Sequence, residues 1–318
     1  MIIKSFSHAL TALKYGLQYL NLKADDLILL PEYICDVVLH PLVELGLQYR
    51  YYSTNDDLTP NWDELKAVVD NKTKAIIMVH YFGQPQDISQ FQSFCVQHSL
   101  LLLEDNAHGH GGMLNGQLLG RYGDLGISAP RKILNTYSGG ILSLKNQEFK
   151  IQPNLLSYPV SFIKHFRKSL FNFYPSLKYS IRKVLKNRPQ YEDPRAFRES
   201  VMPDYAIDSW SEDIIEQTDW NEIRKTRQEA YHKWQGFALD NNLTPVFSEL
   251  HTEANPWCFP AYVKSHREAV KWFDWGWENN IEVFSWPTLP EEIIKIKNSA
   301  YQRWRKLICF MITNNDLI

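Results

Sequence analysis

Two stretches of the sequence hold side chains that could do chemistry. In the first, Glu104 and Asp105 come directly after an apolar, strand-like run, and His108 follows three residues after Asp105. In the second, Ser128 and Lys132 precede a pair of glycines, a residue type that lets a backbone come close to a ligand. Because ligands bind beyond the carboxyl ends of strands in α/β sheets, we expect these groups to share one site.

Three other interpretations of these residues remain open at this point. Asp105 and His108 could be ordinary polar residues that cap a helix. His108 and His110, with the two acids, could bind zinc or iron, since imidazole and carboxylate suit both metals. The glycines could hold a dinucleotide, although the GxGxxG pattern directly after the first strand is absent.

The apolar residues of the first hundred positions alternate between helical and strand-like spacing. This pattern predicts helices at 7–22, 34–45, 61–69 and 87–98, and strands at 27–30, 47–52, 75–79 and 100–103. Strands that alternate with helices predict a mainly parallel sheet covered on both faces. We therefore expect a large α/β domain over residues 1–150.

The rest of the chain has a different composition. Residues 152–191 contain no Asp or Glu, and Lys and Arg are interleaved there with Phe and Tyr. We expect residues 151–205 to form a basic, aromatic helical segment with a solvated face, with weak contact of 164–188 with an anionic membrane surface as the alternative. Helical spacing over 211–239 and 265–279, with a strand at 257–263, predicts a smaller α+β domain over 206–318.

Composition limits the kinds of partner and compartment. Lys and Arg number 34 against 36 Asp and Glu, a net charge of -2, so we expect no nucleic-acid partner. No long uninterrupted apolar segment occurs, which favours a soluble protein of the cytoplasm. The four cysteines form no CxxC pair, so we expect reduced thiols and no metal site.

Several segments together resemble a known family. The run EDNAHGHGG, then GDLGIS, then a lysine ahead of a glycine pair, resembles the DegT/DnrJ/StrS sugar aminotransferases, which are fold-type I pyridoxal phosphate (PLP) enzymes. DDLILLPEYICDVVLHPLVELGLQYRYY and KTKAIIMVHYFGQPQDI are similar to upstream segments of the family, and residues 212–310 match more loosely. The resemblance implies a mainly parallel α/β domain followed by a smaller α+β domain.

The resemblance also implies roles for individual residues. Lys132 would condense with the aldehyde of PLP, and Asp105 would pair with its protonated ring nitrogen. His108 would lie near the phenolic oxygen of the ring. Ser128, with backbone N–H groups at the start of the first helix around Thr11, would hold the phosphate.

The implied activity is amino transfer to a keto sugar, nucleotide-linked, in glycan or polysaccharide biosynthesis. Glutamate is the implied amino donor, and a homodimer is implied because family active sites are built at a subunit interface. Dehydratases of the family replace the lysine, so the presence of Lys132 favours transamination.

Departures from the family pattern define an alternative function. The phosphate turn lacks its usual glycine, and Cys35 stands where many relatives have an aromatic residue that stacks on the cofactor ring. The alternative is a catalytically degenerate member that acts as a binding or scaffold subunit.

Overall fold

A computed structural model describes residues 1–145, 151–160 and 201–312, together with 181, 183–184, 188, 192–196 and 198. The strands are β1 (Ile2–Phe6), β2 (Leu27–Pro31), β3 (Gln48–Tyr52), β4 (Thr73–Val79), β5 (Leu101–Asn106), β6 (Met113–Leu114), β7 (Gln117–Leu118), β8 (Leu125–Ser128), β9 (Gly140–Leu144), β10 (Thr244–Pro245), β11 (Cys258–Tyr262), β12 (Val283–Phe284) and β13 (Leu307–Met311). The α-helices are α1 (Ala9–Tyr19), α2 (Leu39–Glu44), α3 (Trp62–Val68), α4 (Ile88–His98), α5 (Pro130–Ile133), α6 (Ser209–Gln217), α7 (Trp220–Asp240), α8 (His266–Asn279), α9 (Glu291–Ile296) and α10 (Ser299–Trp304).

Within the described residues, seven strands form one sheet in the order β1-β9-β8-β5-β4-β2-β3. The pairs from β8 through β5, β4 and β2 to β3 are all parallel, whereas β9 pairs antiparallel with both β8 and β1. The central strands are apolar runs because the sheet is covered on both faces, and every residue of β2 is buried. The prediction of a mainly parallel sheet is confirmed.

Some predicted elements differ from the structure. The sequence predicts that the segment 7–22 is wholly helical, but α1 begins at Ala9 and is preceded by β1, in which Ile3 and Lys4 are exposed and Phe6 is buried. The helix expected at 211–239 is two helices, α6 and α7. They are separate because Asp219 caps a new helix, its side chain accepting from the N–H groups of Asn221 and Glu222.

The second sheet contains β10, β11, β13 and β12, and all its pairs are antiparallel. Its core includes Trp234 of α7, Phe273 of α8, and Phe259 and Phe310 of the sheet. The rings of Trp234 and Phe310 stack at 4.7 Å. This antiparallel sheet with its helices has the α+β character expected after residue 206. The exact boundaries at 150 and 205 stay predictions.

Most of the basic segment 164–188 lies outside the described residues. Lys183 Nζ donates to the backbone oxygen of Glu278 at 3.1 Å, and Arg188 forms an ion pair with Asp274. These two basic side chains thus contact α8. Contact of the segment with a membrane surface stays a prediction. Among the described residues, no helix combines the length and the apolar character needed to cross a bilayer.

Candidate active site

A cavity of about 380 Å³ lies at the carboxyl ends of the parallel strands. Val79 of β4, Asp105 of β5 and Ile127 of β8 line it from the large sheet, and Trp257 and Trp286 line it from the C-terminal part. A volume in this range is typical of small-molecule sites. Four of the residues expected from sequence line this one cavity: Cys35, Asp105, His108 and Lys132.

Asp105 is a buried carboxylic acid at the end of β5. Its backbone oxygen accepts from His80 N–H at 2.9 Å, and its Oδ1 accepts from Ala107 N–H at 2.9 Å. Burial raises the pKa of Asp105, while the Ala107 hydrogen bond and the charge of Lys132 oppose this rise. No described helix begins at residues 105–108, so the helix-cap interpretation is wrong.

Glu104 points away from Asp105, because successive side chains of a strand face opposite sides of the sheet. It is fully buried, and His80 Nε2 lies 2.9 Å from its Oε1, to which Gly120 N–H also donates. Tyr122 and Gly123 N–H groups donate to Oε2 at 2.8 and 3.0 Å. Burial raises the pKa of Glu104, but these hydrogen bonds outweigh it, and the pKa lies below 4.5. Glu104 therefore fixes the 120–123 loop rather than lining the cavity.

His108 is held as a neutral ring between aromatic side chains. Its Nδ1 accepts from Phe82 N–H at 3.2 Å, so the neutral ring carries its proton on Nε2. The ring stacks on those of Trp257 and Phe82, with distances of 4.6 and 5.7 Å between ring centres. The ring of Trp286 packs edge to face against it, with 4.5 Å between the ring centres. Burial, and then the charge of Lys132, lower the pKa of His108 well below 6.5.

Lys132 lies in the short helix α5, which follows β8 and starts with Pro130. Its Nζ lies 5.0 Å from the ring centre of Trp257, within the range of a cation–π contact. Its charge acts on Asp105, His108 and Cys35. The amine is therefore near every predicted site residue that lines the cavity.

The structure does not place Ser128 and Thr11 on the cavity wall. Ser128 Oγ lies 2.7 Å from Nδ1 of His110, whose pKa burial lowers to about 3. Thr11 is 5% exposed, and the start of α1 reaches the cavity through His8, Ala9 and Leu10 instead. The predicted roles of Ser128 and Thr11 stay predictions.

Cys35 lines the cavity at the position where many relatives have an aromatic residue that stacks on the cofactor ring. Its Sγ lies 3.0 Å from Thr288 Oγ1, and burial raises the pKa of its thiol, opposed by this hydrogen bond and the charge of Lys132. The thiol is therefore held neutral. Aromatic surface comes from the C-terminal part, from Trp257 and Trp286.

Three contributors were missed in the sequence: Arg131, Phe82 and Trp257. Phe82 lies in the segment HYFGQP and adopts a left-handed backbone with φ of 55°, which directs its N–H at His108. Trp257 N–H donates to Phe82 O at 2.9 Å. Phe82 and Trp257 both lie in segments that resemble the family, and this resemblance was the signal in the sequence that could have identified them. In the described part of the chain, no group of three or more His, Cys, Asp or Glu side chains is arranged to hold a metal ion.

A model of the DegT/DnrJ/EryC1/StrS aminotransferase family matches residues 4–167, which is more than half of the chain. The chain belongs to this family. GDP-perosamine synthase of Vibrio cholerae is 27% identical over 139 residues, covering 43% of this chain and 38% of that protein. The match therefore spans less than half the length of this relative.

Solved structures extend the likeness to the whole fold. PseC of Helicobacter pylori, an aminotransferase involved in the biosynthesis of pseudoaminic acid, has a TM-score of 0.71 at 16% identity, covering 99% of this chain and 82% of that one. An Escherichia coli GDP-4-keto-6-deoxy-D-mannose-3-dehydratase with bound hydrated PLP has a TM-score of 0.69 at 15% identity, covering 99% and 84%. The predicted fold-type I architecture of this DegT/DnrJ/EryC1/StrS member is confirmed.

Proposed function

We propose that this chain is a PLP-dependent aminotransferase that acts on a keto sugar, nucleotide-linked, with glutamate as amino donor. We further propose that it works as a homodimer in the cytoplasm and serves glycan biosynthesis. The observation that carries the proposal is the meeting of Lys132, Asp105 and neutral His108 in one cavity. Family membership supports the same chemistry.

The residues of the cavity fit PLP. A buried carboxylic acid, Asp105, suits the ring nitrogen, and a primary amine, Lys132, suits the aldehyde. For the phosphate, Nε of Arg131 is buried without a hydrogen-bond partner among the described residues. When bound, PLP supplies an aldehyde and an electron-withdrawing ring.

Each side chain has a distinct task in the proposed reaction. Burial alone favours the protonated form of Asp105, but a positive charge beside the carboxyl group favours the ionised form. The ionised Asp105 would in turn keep a proton on the ring nitrogen. Lys132 Nζ, once neutral, takes the proton from the substrate carbon and returns it. His108 offers its Nε2–H to an oxygen acceptor, and the rings of Trp257 and Trp286 exclude water.

Borohydride labelling tests the proposal. Wild-type protein incubated with PLP should turn yellow, and after reduction, mass spectrometry should find the mass of the cofactor on the peptide that carries Lys132. Lys132→Ala should stay colourless, whereas Lys145→Ala, which removes an exposed lysine at the end of β9, should behave as wild type. Glutamate should bleach the wild-type colour before reduction.

Two alternatives give different results in this experiment. If wild-type protein takes up no label on Lys132 and no amino donor bleaches it, the scaffold alternative replaces transamination. If the label forms but a keto sugar loses oxygen without gaining nitrogen, the product is that of a dehydratase. Light scattering on the same sample tests the homodimer, and a monomer at all concentrations would contradict it.

A further inference from the structure

Arg131 is a cation in the cavity wall, and none of the reaction steps described above involves it. It lies directly before Lys132 in α5 and lines the same cavity. Its Nε is buried and has no hydrogen-bond partner within the described residues. A desolvated guanidinium N–H without an acceptor is costly, so the arrangement favours an anionic oxygen at this point.

The groups around Arg131 leave its charge available for a ligand. No described carboxylate forms an ion pair with it. Burial, followed by the charge of Arg131, lowers the pKa of His8 to about 4, so the nearby ring is neutral. The charge of Arg131 also reaches Tyr158, whose ring lies 5.9 Å from that of His8.

The amino end of α1 faces the same part of the cavity. His8, Ala9 and Leu10 line it, and among the described residues no side chain caps this helix of 11 residues. The backbone of Gly140 packs against the helix start, because a Cβ there would lie 2.1 Å from the carbonyl carbon of His8 and 2.3 Å from Ala9 N. N–H groups at such a helix start attract anions.

We propose that Arg131 is a further residue that holds the phosphate of the cofactor, beside the first turn of α1, to which the family resemblance already assigns that role. This inference rests on the proposed function. Successive residues of a helical turn point about 100° apart, so Lys132 and Arg131 can serve different ends of one ligand. An arginine fork can donate two parallel hydrogen bonds to phosphate oxygens. The cation then comes from the same chain as the reactive lysine.

Comparison of PLP with pyridoxal, which lacks the phosphate, tests the assignment. Quenching of tryptophan fluorescence in the full chain gives a dissociation constant for each aldehyde, and their ratio reports the recognition of phosphate alone. Arg131→Gln should weaken PLP binding about 10- to 100-fold, as expected for hydrogen bonds to a charged group, and leave pyridoxal binding unchanged. Arg131→Lys, which keeps the positive charge, should weaken PLP binding less than Arg131→Gln does.

Arg267→Gln is the matched control, because it removes the same charge from an exposed position of α8. It should leave both constants unchanged. The assignment to Arg131 is overturned if Arg131→Gln keeps the wild-type ratio of the two dissociation constants. It is also overturned if the binding of PLP and the binding of pyridoxal weaken equally in both Arg131→Gln and Arg131→Lys. The proposed function itself fails if wild-type protein binds neither aldehyde, so the two failures are distinct.

Discussion

Replacing Glu104 by Gln should cost a large part of the stability of the chain. In the part of the chain that the structure describes, four N–H groups donate to the Glu104 carboxylate, two to each oxygen. A glutamine can offer an oxygen to only one pair, and its NH₂ group then faces the other pair. His80 cannot relieve this by moving its proton, because its Nδ1 accepts from Gln86 N–H at 3.1 Å.

The expected magnitude follows from the two N–H donors that lose their acceptor. Each buried, unsatisfied donor costs about 1–3 kcal/mol, so Glu104→Gln should lower the free energy of unfolding by about 4 kcal/mol. Domains are stable by only about 5–15 kcal/mol. Urea unfolding at pH 7 measures the difference. The control Glu253→Gln changes an exposed acceptor of one N–H group and should cost less than about 0.5 kcal/mol.

The pH dependence provides a second check. Since the pKa of folded Glu104 lies below 4.5, its stabilising contribution is present above 4.5 and is lost as the pH falls through the folded pKa. The difference between wild type and Glu104→Gln should therefore shrink as the solution is acidified. A cost under about 1 kcal/mol at pH 7, or a difference independent of pH, would refute the assignment of a structural carboxylate.

Two further predictions concern the cavity. Gly140→Ala should destabilise the fold by about 2–4 kcal/mol because its Cβ would overlap the backbone of His8 and Ala9. Gly236→Ala, near the carboxyl end of α7 where the new Cβ meets open space, should instead stabilise the fold by about 0.5–1 kcal/mol. Equal effects of the two substitutions in thermal unfolding would contradict this contrast. In NMR titrations His108 should stay neutral at pH 6, and stability should fall as the pH drops below 6.5 because only the unfolded state takes the proton readily; a His108 signal that titrates near 6.5 would show that the ring is not enclosed as described.

The sequence predicted the central strands well, for a physical reason. The runs in β2, β4 and β5 are apolar without alternation because both faces of the sheet are covered, and such runs stand out from their surroundings. β8 and β9 were missed because they are four and five residues long and contain glycine, so no periodic pattern can develop. β1 was missed because it lies at the sheet edge, where few side chains are buried.

The site was predictable as far as the signal was local. Asp105, His108 and Lys132 lie within short motifs, and the structure places them on one cavity. Trp257 could not be assigned from sequence, because its contact with Lys132 depends on how distant parts of the chain pack. Arg131 could not be assigned for another reason: what distinguishes it from a surface arginine is that its buried Nε has no hydrogen-bond partner among the described residues, which a sequence does not show.

The adjacency of Glu104 and Asp105 makes the register of β5 critical. The Glu104 carboxylate accepts hydrogen bonds from N–H groups of the 120–123 loop, whereas the Asp105 carboxylate faces the cavity. A slip of one residue would exchange the two faces, sending the shorter acid to donors that it cannot reach. Length changes within Leu101–Asn106 should therefore be far less tolerated than changes in the loops beside it, so alignment gaps among functional homologues should avoid this strand.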